Sequence, residues 1–96
     1  MVLNDQPIHD MDQCEFSDKR VLVRVDHNVP CTSDGQIRDD ERIVRSQQTL
    51  RELVSQGARI IVLSHFGYPE GQYVPHLSTR ILAERLSLLL QKRVQH

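Results

Sequence analysis

Two short apolar runs, separated by a segment with helical periodicity, constrain the fold of this chain more than any other feature. The first run lies within "VLVRV" (Val21–Val25) and the second is "IIVL" (Ile60–Leu63). Both are short and rich in β-branched residues, which is typical of strands. Since the second run is apolar at every position, it favours a strand of a parallel sheet that is covered on both faces.

Helical spacing of apolar residues predicts one helix after each strand. The first is expected over about residues 40–56, with Asp39 or Asp40 as its N-cap and Gly57 just beyond its end. The second is expected after Ser78, which is suited to its N-cap. In the first helix, Ile43, Gln47, Leu50 and Val54 follow helical spacing and Leu53 widens the stripe; in the second, the apolar stripe is Ile81, Leu82, Leu86, Leu89 and Leu90.

The order of these elements predicts an α/β fold built of parallel βαβ units. "KRVQH" (Lys92–His96) has the pattern of a further strand start. We therefore expect residues 1–18 to be a polar lead-in with a short edge strand or turn, and residues 19–96 to form a β-α-β-α-β unit. Two strands and two helices cannot cover both faces of such an apolar sheet. The chain is thus expected to be an incomplete portion of a doubly wound, Rossmann-like domain.

Composition and motifs exclude several classes of function. No apolar run is long enough to span a bilayer, and the N-terminus has no signal-peptide pattern, so we expect a cytoplasmic protein without a membrane partner. No basic run interleaved with aromatic residues points to nucleic acid. Cys14 and Cys31 lack metal or redox spacing and are expected to be reduced thiols. Neither G-x-G-x-x-G nor G-x-x-x-x-G-K-[ST] is present, so no nucleotide cradle is predicted.

Polar residues follow both strands at the edge where parallel sheets bind ligands. "DHN" (residues 26–28) follows the first strand and "HFGY" (residues 65–68) the second, while Arg42 lies in the first turn of the helix that begins at this edge. Arginine binds carboxylates and phosphates, and Asp or Asn can pair with a hydroxyl. The residue types favour a small, hydroxylated, anionic ligand.

Other interpretations of the same residues stay open. Asp26 and Asn28 precede Pro30, and Asx residues in such places commonly form turns through their own backbone bonds. A lone His65 or Arg42 is often simply solvated. Asp26 with the two histidines could bind a metal, although no ligand spacing specifies such a site. The residues alone do not decide between a turn and a site.

Four ordered segments resemble the phosphoglycerate kinase family. "RVLVRVDHNVP" (Arg20–Pro30) resembles the family's R-x-D-x-N signature with its following proline. The segments after it are "DGQIRDDERI" (Asp34–Ile43), "GARIIVLSHFGYPEG" (Gly57–Gly71) and "LAERLSLLLQKRV" (Leu82–Val94). The resemblance spans about residues 15–96. It implies the N-terminal segment of the family's N-terminal, substrate-binding domain.

The resemblance implies a monomeric, two-domain glycolytic enzyme. Such an enzyme transfers a phosphoryl group between 1,3-bisphosphoglycerate and ADP, giving 3-phosphoglycerate and ATP. Mg-ATP or Mg-ADP belongs to the complete enzyme, and no cofactor is expected on this chain. By resemblance, Arg42 is catalytic because it stabilises charge on the transferring phosphoryl group. The implied substrate-binding residues are Asp26, His27, Asn28, Arg42, His65, Phe66, Gly67 and Tyr68.

Three positions depart from the family's pattern and weaken phosphoglycerate binding. Tyr68 replaces an arginine that grips the substrate phosphate, Glu70 stands where Lys is common, and His27 stands where Phe is common. Two functions therefore stay open: a phosphoglycerate kinase whose isolated N-terminal segment is inactive, or a non-catalytic relative that acts as a binding or interaction module. The uncovered strands also lead us to expect marginal stability or self-association.

Overall fold

The computed structural model of the chain describes residues 9–96 and, before them, the backbone of two short strands. These strands, β1 (Val2–Leu3) and β2 (Gln6–Pro7), pair antiparallel with Val2 opposite Pro7. A 3₁₀ turn at Met11–Gln13 follows. Other parts of the predicted lead-in, residues 1, 4, 5 and 8, lie outside the described residues.

The two apolar runs form a parallel pair of strands, as predicted. β3 (Arg20–Arg24) pairs with β4 (Arg59–Leu63), with Arg20 opposite Arg59 and Arg24 opposite Leu63. The pairing extends beyond β3, because the amide of Val25 donates to the carbonyl of Leu63 at 2.9 Å. The carboxyl ends of both strands thus lie side by side, which confirms the βαβ unit and places the two following loops together.

The first predicted helix, α1 (Glu41–Ser55), connects these strands. Asp40 occupies the N-cap position, but it is Asp39 that accepts from the amide of Glu41 through Oδ1, at 2.9 Å. The carboxylate of Asp40 instead binds Nη1 of Arg85 at 2.8 Å. Gly57 follows the end of α1 with a φ of 82°, a left-handed conformation that glycine adopts at little cost.

The second predicted helix is α2 (Arg80–Leu90). Thr79 is the residue before it, but the hydroxyl of Ser78 supplies the cap and accepts from the amide of Arg80 at 3.2 Å. α1 packs against β4 and against α2, and the apolar stripes of both helices join one core with Val23, Ile60 and Val62 of the strands. The buried apolar core consists of Val29, Ile43, Leu50, Leu53, Phe66, Leu82, Leu86 and Leu90.

The opposite face of the sheet is open among the residues that the structure describes. Leu22, Ile61 and Leu63 are 65%, 48% and 46% exposed. They alternate with the half-buried residues of the same strands, as the two-residue side-chain period of a strand requires. The expectation that two helices cannot cover both faces of this sheet is confirmed. We refer to these three side chains as the open face.

The predicted strand at residues 92–96 does not form. Gln91 takes a left-handed conformation with a φ of 54°, which reverses the chain after α2. The amide of Val94 then donates to the hydroxyl of Ser87 at 2.7 Å, and the valine side chain packs against the core. The segment therefore bonds to α2 instead of pairing with β4. A groove of about 660 Å³ lies between β4, α2 and this segment.

Candidate functional site

Three segments that are distant in sequence meet at the carboxyl edge of the sheet. Nη1 of Arg42, at the start of α1, donates to the two carboxylate oxygens of Asp26 at 3.2 and 3.1 Å. The same atom donates to the carbonyl of Asn28 at 2.9 Å. From the loop after β4, the amide of Gly67 donates to Oδ1 of Asn28 at 3.0 Å. The structure therefore brings these four predicted site residues together, and we call them the edge cluster.

Asp26 forms a turn and also contributes to the edge cluster. Its Oδ1 accepts from the amide of Asn28 at 3.1 Å, which is an Asx turn. This backbone N–H, followed by the positive charges of Arg42 and His65, holds the pKa of Asp26 below its usual value, although partial desolvation opposes them. The carboxylate is consequently ionised at neutral pH. From the sequence, a turn and a site are alternative interpretations of Asp26. In the structure this residue forms the turn and also belongs to the edge cluster.

Asn28 links the loops after the two strands. Its Oδ1 is occupied by the amide of Gly67, so its Nδ2 must face away from that bond. Nδ2 makes no hydrogen bond to any residue in 9–96, which leaves two N–H groups for a ligand. Gly67 is required where it stands, because its φ is 67° and a β-carbon would collide with the side chain of Leu77.

His27 points the other way, into the core. Its side chain is 2% exposed, and its Nε2 lies 2.8 Å from the hydroxyl of Ser46 on α1. Since that hydroxyl donates to the carbonyl of Ile43 at 2.7 Å, the imidazole must be the donor through Nε2–H. The amide of His27 also donates to the hydroxyl of Ser64 at 2.9 Å. Burial lowers the pKa of His27, so the ring is neutral at pH 7.

This placement corrects the expectation that His27 contacts a ligand directly. Asp26 and Asn28 bond to Arg42 and Gly67 at the edge, whereas the ring of His27, between them in the chain, bonds to Ser46 in the core. The expectation for Phe66 is corrected as well: this residue is only 9% exposed and belongs to the core, so it supports the loop rather than the ligand surface.

His65 and Tyr68 lie on the exposed side of the second loop. Their ring centroids are 6.3 Å apart, with the planes inclined by 52°. Tyr68 is 80% exposed and Glu70 is exposed as well. His65 is among the groups that lower the pKa of Asp26. The edge therefore presents the cationic Arg42 and the imidazole of His65, while the tyrosine and the glutamate supply no positive charge.

Two serines that support the site have no distinctive sequence signal. Ser46 lies four residues after Arg42, on the same face of α1, and Ser64 directly precedes His65. Both bind His27. A helical serine one turn after a candidate arginine is too common a pattern to single out. The two hydroxyls support the site only because His27 points inward and bonds to both of them. The sequence does not reveal this direction.

The edge cluster is an open surface. The 660 Å³ groove borders His27 from the core side and includes none of the four residues of the cluster. Within residues 9–96, no three His, Cys, Asp or Glu side chains are grouped so that they could hold a metal ion. Cys14 and Cys31 are free thiols. None of the helices that the structure describes combines the length and the apolar character needed to cross a membrane.

Known proteins with a similar sequence and fold identify the family. The family model described as phosphoglycerate kinase matches residues 11–96. The phosphoglycerate kinase of Clostridium novyi (strain NT) is 44% identical over 94 residues, which cover 98% of this chain and 23% of that relative. The phosphoglycerate kinase of Sinorhizobium fredii (strain NBRC 101917 / NGR234) is 47% identical over 83 residues, which cover 86% of this chain and 21% of that relative.

A solved structure agrees with these relatives. The phosphoglycerate kinase from Coxiella burnetii superposes with a TM-score of 0.83 at 40% identity, over 90% of this chain and 22% of that protein. The chain thus spans between a fifth and a quarter of the length of the relatives that it matches. Because the family model covers most of the sequence and the fold agrees with that of a solved member, this chain belongs to the phosphoglycerate kinase family.

Proposed function

We propose that this chain forms part of the 3-phosphoglycerate side of a phosphoglycerate kinase site. The observation that supports this function best is the position of Arg42. Its guanidinium is anchored through Nη1 alone and its side chain is 56% exposed. Among the described residues, Nε and Nη2 make no hydrogen bond. Three N–H groups in planar fork geometry therefore face solvent, which is the arrangement that binds a carboxylate or a phosphoryl group.

The edge cluster suits a ligand that carries a hydroxyl beside its charges. The ionised Asp26 repels a bare anion but can accept a hydrogen bond from a hydroxyl. Nδ2 of Asn28 can donate to the same hydroxyl or to an adjacent oxygen. His65 can donate a ring N–H to an anionic group. A glycerate skeleton, with a carboxylate next to a hydroxyl, matches this set of groups.

In the reaction of the family, the phosphoryl group passes between 1,3-bisphosphoglycerate and ADP. Arg42 would stabilise the charge on the transferring group, since a guanidinium fixed before the reaction needs no reorganisation. The residues of this chain do not fit the Mg-nucleotide. They include no glycine-rich phosphate cradle, and residues 9–96 group no three metal ligands. We therefore derive no step through the nucleotide. A cytoplasmic, monomeric enzyme is part of the same proposal.

A calorimetric titration with 3-phosphoglycerate tests this function. We expect weak binding to the 96-residue chain and a roughly 10- to 150-fold loss of affinity in Arg42→Ala, the range for one charge-assisted contact. Arg45→Ala is the matched control, because Arg45 lies on the same helix, 79% exposed, and binds only Glu41 at 2.9 Å. Equal affinities of the two variants, or no binding to any of the three proteins, would refute the proposal.

The open face favours a second function, that of a non-catalytic interaction module. Leu22, Ile61 and Leu63 form an exposed apolar surface, and Tyr68 and Glu70 weaken the anion site. Calorimetry with 3-phosphoglycerate and sedimentation of the same chain distinguish the two. Binding that Arg42→Ala weakens supports the substrate-site function, whereas no 3-phosphoglycerate binding together with concentration-dependent association supports the module.

A further inference from the structure

His27 is connected to every segment that supplies the edge cluster. It lies between Asp26 and Asn28 in the loop after β3. Its ring binds Ser46, one helical turn after Arg42, at 2.8 Å. Its backbone amide binds the hydroxyl of Ser64, at the end of β4, at 2.9 Å. One buried residue thus joins the first loop to the helix that carries the arginine and to the second loop.

We propose that His27 is a positioning residue, which holds Asp26 and Asn28 against Arg42 only while its imidazole is neutral. The proposal rests on the function assigned above to the edge cluster. His27 does not reach the ligand surface, so it acts through its two neighbours in the chain. The inward bonds of His27 hold the loop between Asp26 and Asn28. When these bonds are lost, both neighbouring side chains become free to turn away from Arg42.

Both serine hydroxyls that contact His27 already donate their proton elsewhere. The hydroxyl of Ser46 donates to the carbonyl of Ile43 and accepts from Nε2–H. The hydroxyl of Ser64 donates to the carbonyl of His65 and accepts from the amide of His27. A protonated ring carries an additional N–H at Nδ1 and a charge, on a residue that is only 2% exposed. Among residues 9–96 no group is hydrogen-bonded to Nδ1, so protonation weakens the inward bonds of His27, since burying a charge is costly.

The charged groups around His27 come from each element packed against it. On its own loop, Asp26 raises the pKa of His27, but burial outweighs it and the pKa is lowered. Arg42 of α1 already binds that carboxylate and reduces its ability to hold an imidazolium. The loop after β4 contributes the exposed His65. On the far side, the groove that His27 borders is also lined by Lys92, Arg93 and His96.

Amide NMR spectra of the full chain test the proposal without any ligand. The amide of Gly67 reports its bond to Asn28, and the amide of Asn28 reports its bond to Asp26. As the pH falls below 6.5, towards the lowered pKa of His27, we expect both signals to shift together with the ring signals of His27. The matched variant is His27→Gln, whose Nε2 amide can donate to Ser46 but does not titrate. In this variant the coupled shift should vanish, whereas in His9→Gln, which replaces an exposed histidine, it should persist.

The same proteins provide a binding readout. The affinity of the wild type for 3-phosphoglycerate is compared with that of His27→Gln. The ratio of the first to the second should fall as the pH is lowered. Titration of the ligand does not affect this ratio, because it is common to both measurements. A coupled shift that remains in His27→Gln, or a ring that titrates without moving the two amides, would overturn the inference. If 3-phosphoglycerate does not bind at all, the proposed function fails while the amide signals still decide the role of His27. His27→Phe, which carries the residue common in the family, replaces the glutamine variant if that variant does not fold.

Discussion

Arg42 contacts both carboxylate oxygens of Asp26 through the single atom Nη1, at 3.2 and 3.1 Å. This is an end-on contact, in contrast to a two-nitrogen fork, and it leaves most of the guanidinium unoccupied. Both side chains are more than half exposed. The pair therefore orients the arginine and leaves Nε and Nη2 available for the anion that the proposed function requires.

The pKa of Asp26 should respond only in part to the loss of this partner. In Arg42→Ala, we expect the pKa to rise but to stay below 3.8, because the amide of Asn28 is the largest cause of its lowering. Carboxyl carbon chemical shifts, followed through an acid titration, measure it. An Asp26 that titrates identically in Arg42→Ala and in the wild type would contradict the orienting role of the pair.

The free energy of unfolding should depend on pH through His27. The pKa of this residue is lower in the folded chain than its ordinary value of 6.5, so below that value the unfolded chain binds more protons. Stability is therefore full above about pH 6.5 and falls as the pH drops towards the folded pKa, by up to roughly 1.4 kcal/mol per pH unit. Urea unfolding at several pH values measures this slope. The slope should flatten in His27→Phe; parallel profiles of the two proteins would contradict the assignment.

Gly67 should tolerate alanine less well than Gly35 does. Both residues have a positive φ, 67° and 85°, but a β-carbon at Gly35 meets no atom within 4 Å. Gly35→Ala should cost about 1–2 kcal/mol for the left-handed backbone alone. Gly67→Ala should cost roughly a further 1–3 kcal/mol, because Leu77 has to move. Denaturant titrations of both variants test the order, and equal losses would show that Leu77 adapts freely.

A basic side chain at position 68 should strengthen the proposed substrate site. Tyr68→Arg adds a charge-assisted donor beside His65, and we expect 3-phosphoglycerate to bind about 10- to 150-fold more tightly. Tyr73→Arg adds the same charge at a residue that is 91% exposed and should change affinity little. Calorimetry on both variants separates a local contact from a general effect of charge. No gain from Tyr68→Arg would argue against a phosphate subsite at this loop.

The open face should cause self-association. Exposed apolar side chains on neighbouring parallel strands, Leu22 and Ile61, present a surface suited to a second apolar surface. We expect concentration-dependent sedimentation of the wild-type chain and a weaker effect in Ile61→Thr, which keeps strand propensity. Leu88→Thr on α2, where the leucine is 75% exposed, serves as control and should associate like the wild type. Monomeric sedimentation of the wild type at high concentration would contradict the expectation.

The elements that follow from local pattern could be predicted from the sequence. β-branched runs indicated β3 and β4, and periodicity indicated both helices. Their order implied parallel pairing, which by itself placed Asp26 and Arg42 at one edge. That inference needed no long-range contact to be known, because the topology of a βαβ unit determines which ends of its elements meet.

Features that depend on distant partners could not be predicted. Asp40 is an ordinary cap candidate until Arg85, 45 residues later, takes its carboxylate. His27 has the sequence context of a site residue, and its inward direction depends on Ser46, 19 residues later, which accepts from its ring. Residues 92–96 have strand propensity, but the amide of Val94 bonds to the hydroxyl of Ser87 on α2 instead of pairing with β4.

The bond between His27 and Ser46 also couples the residues that related chains can carry at positions 27 and 46. The serine hydroxyl donates its proton to the carbonyl of Ile43 and offers residue 27 an acceptor position on its oxygen. A phenylalanine at position 27 would leave the serine oxygen without this donor. An alanine at position 46 would leave the imidazole N–H without an acceptor. We therefore expect the two positions to be inherited as a pair: in relatives with an apolar residue at the first, a hydroxyl at the second is no longer under selection.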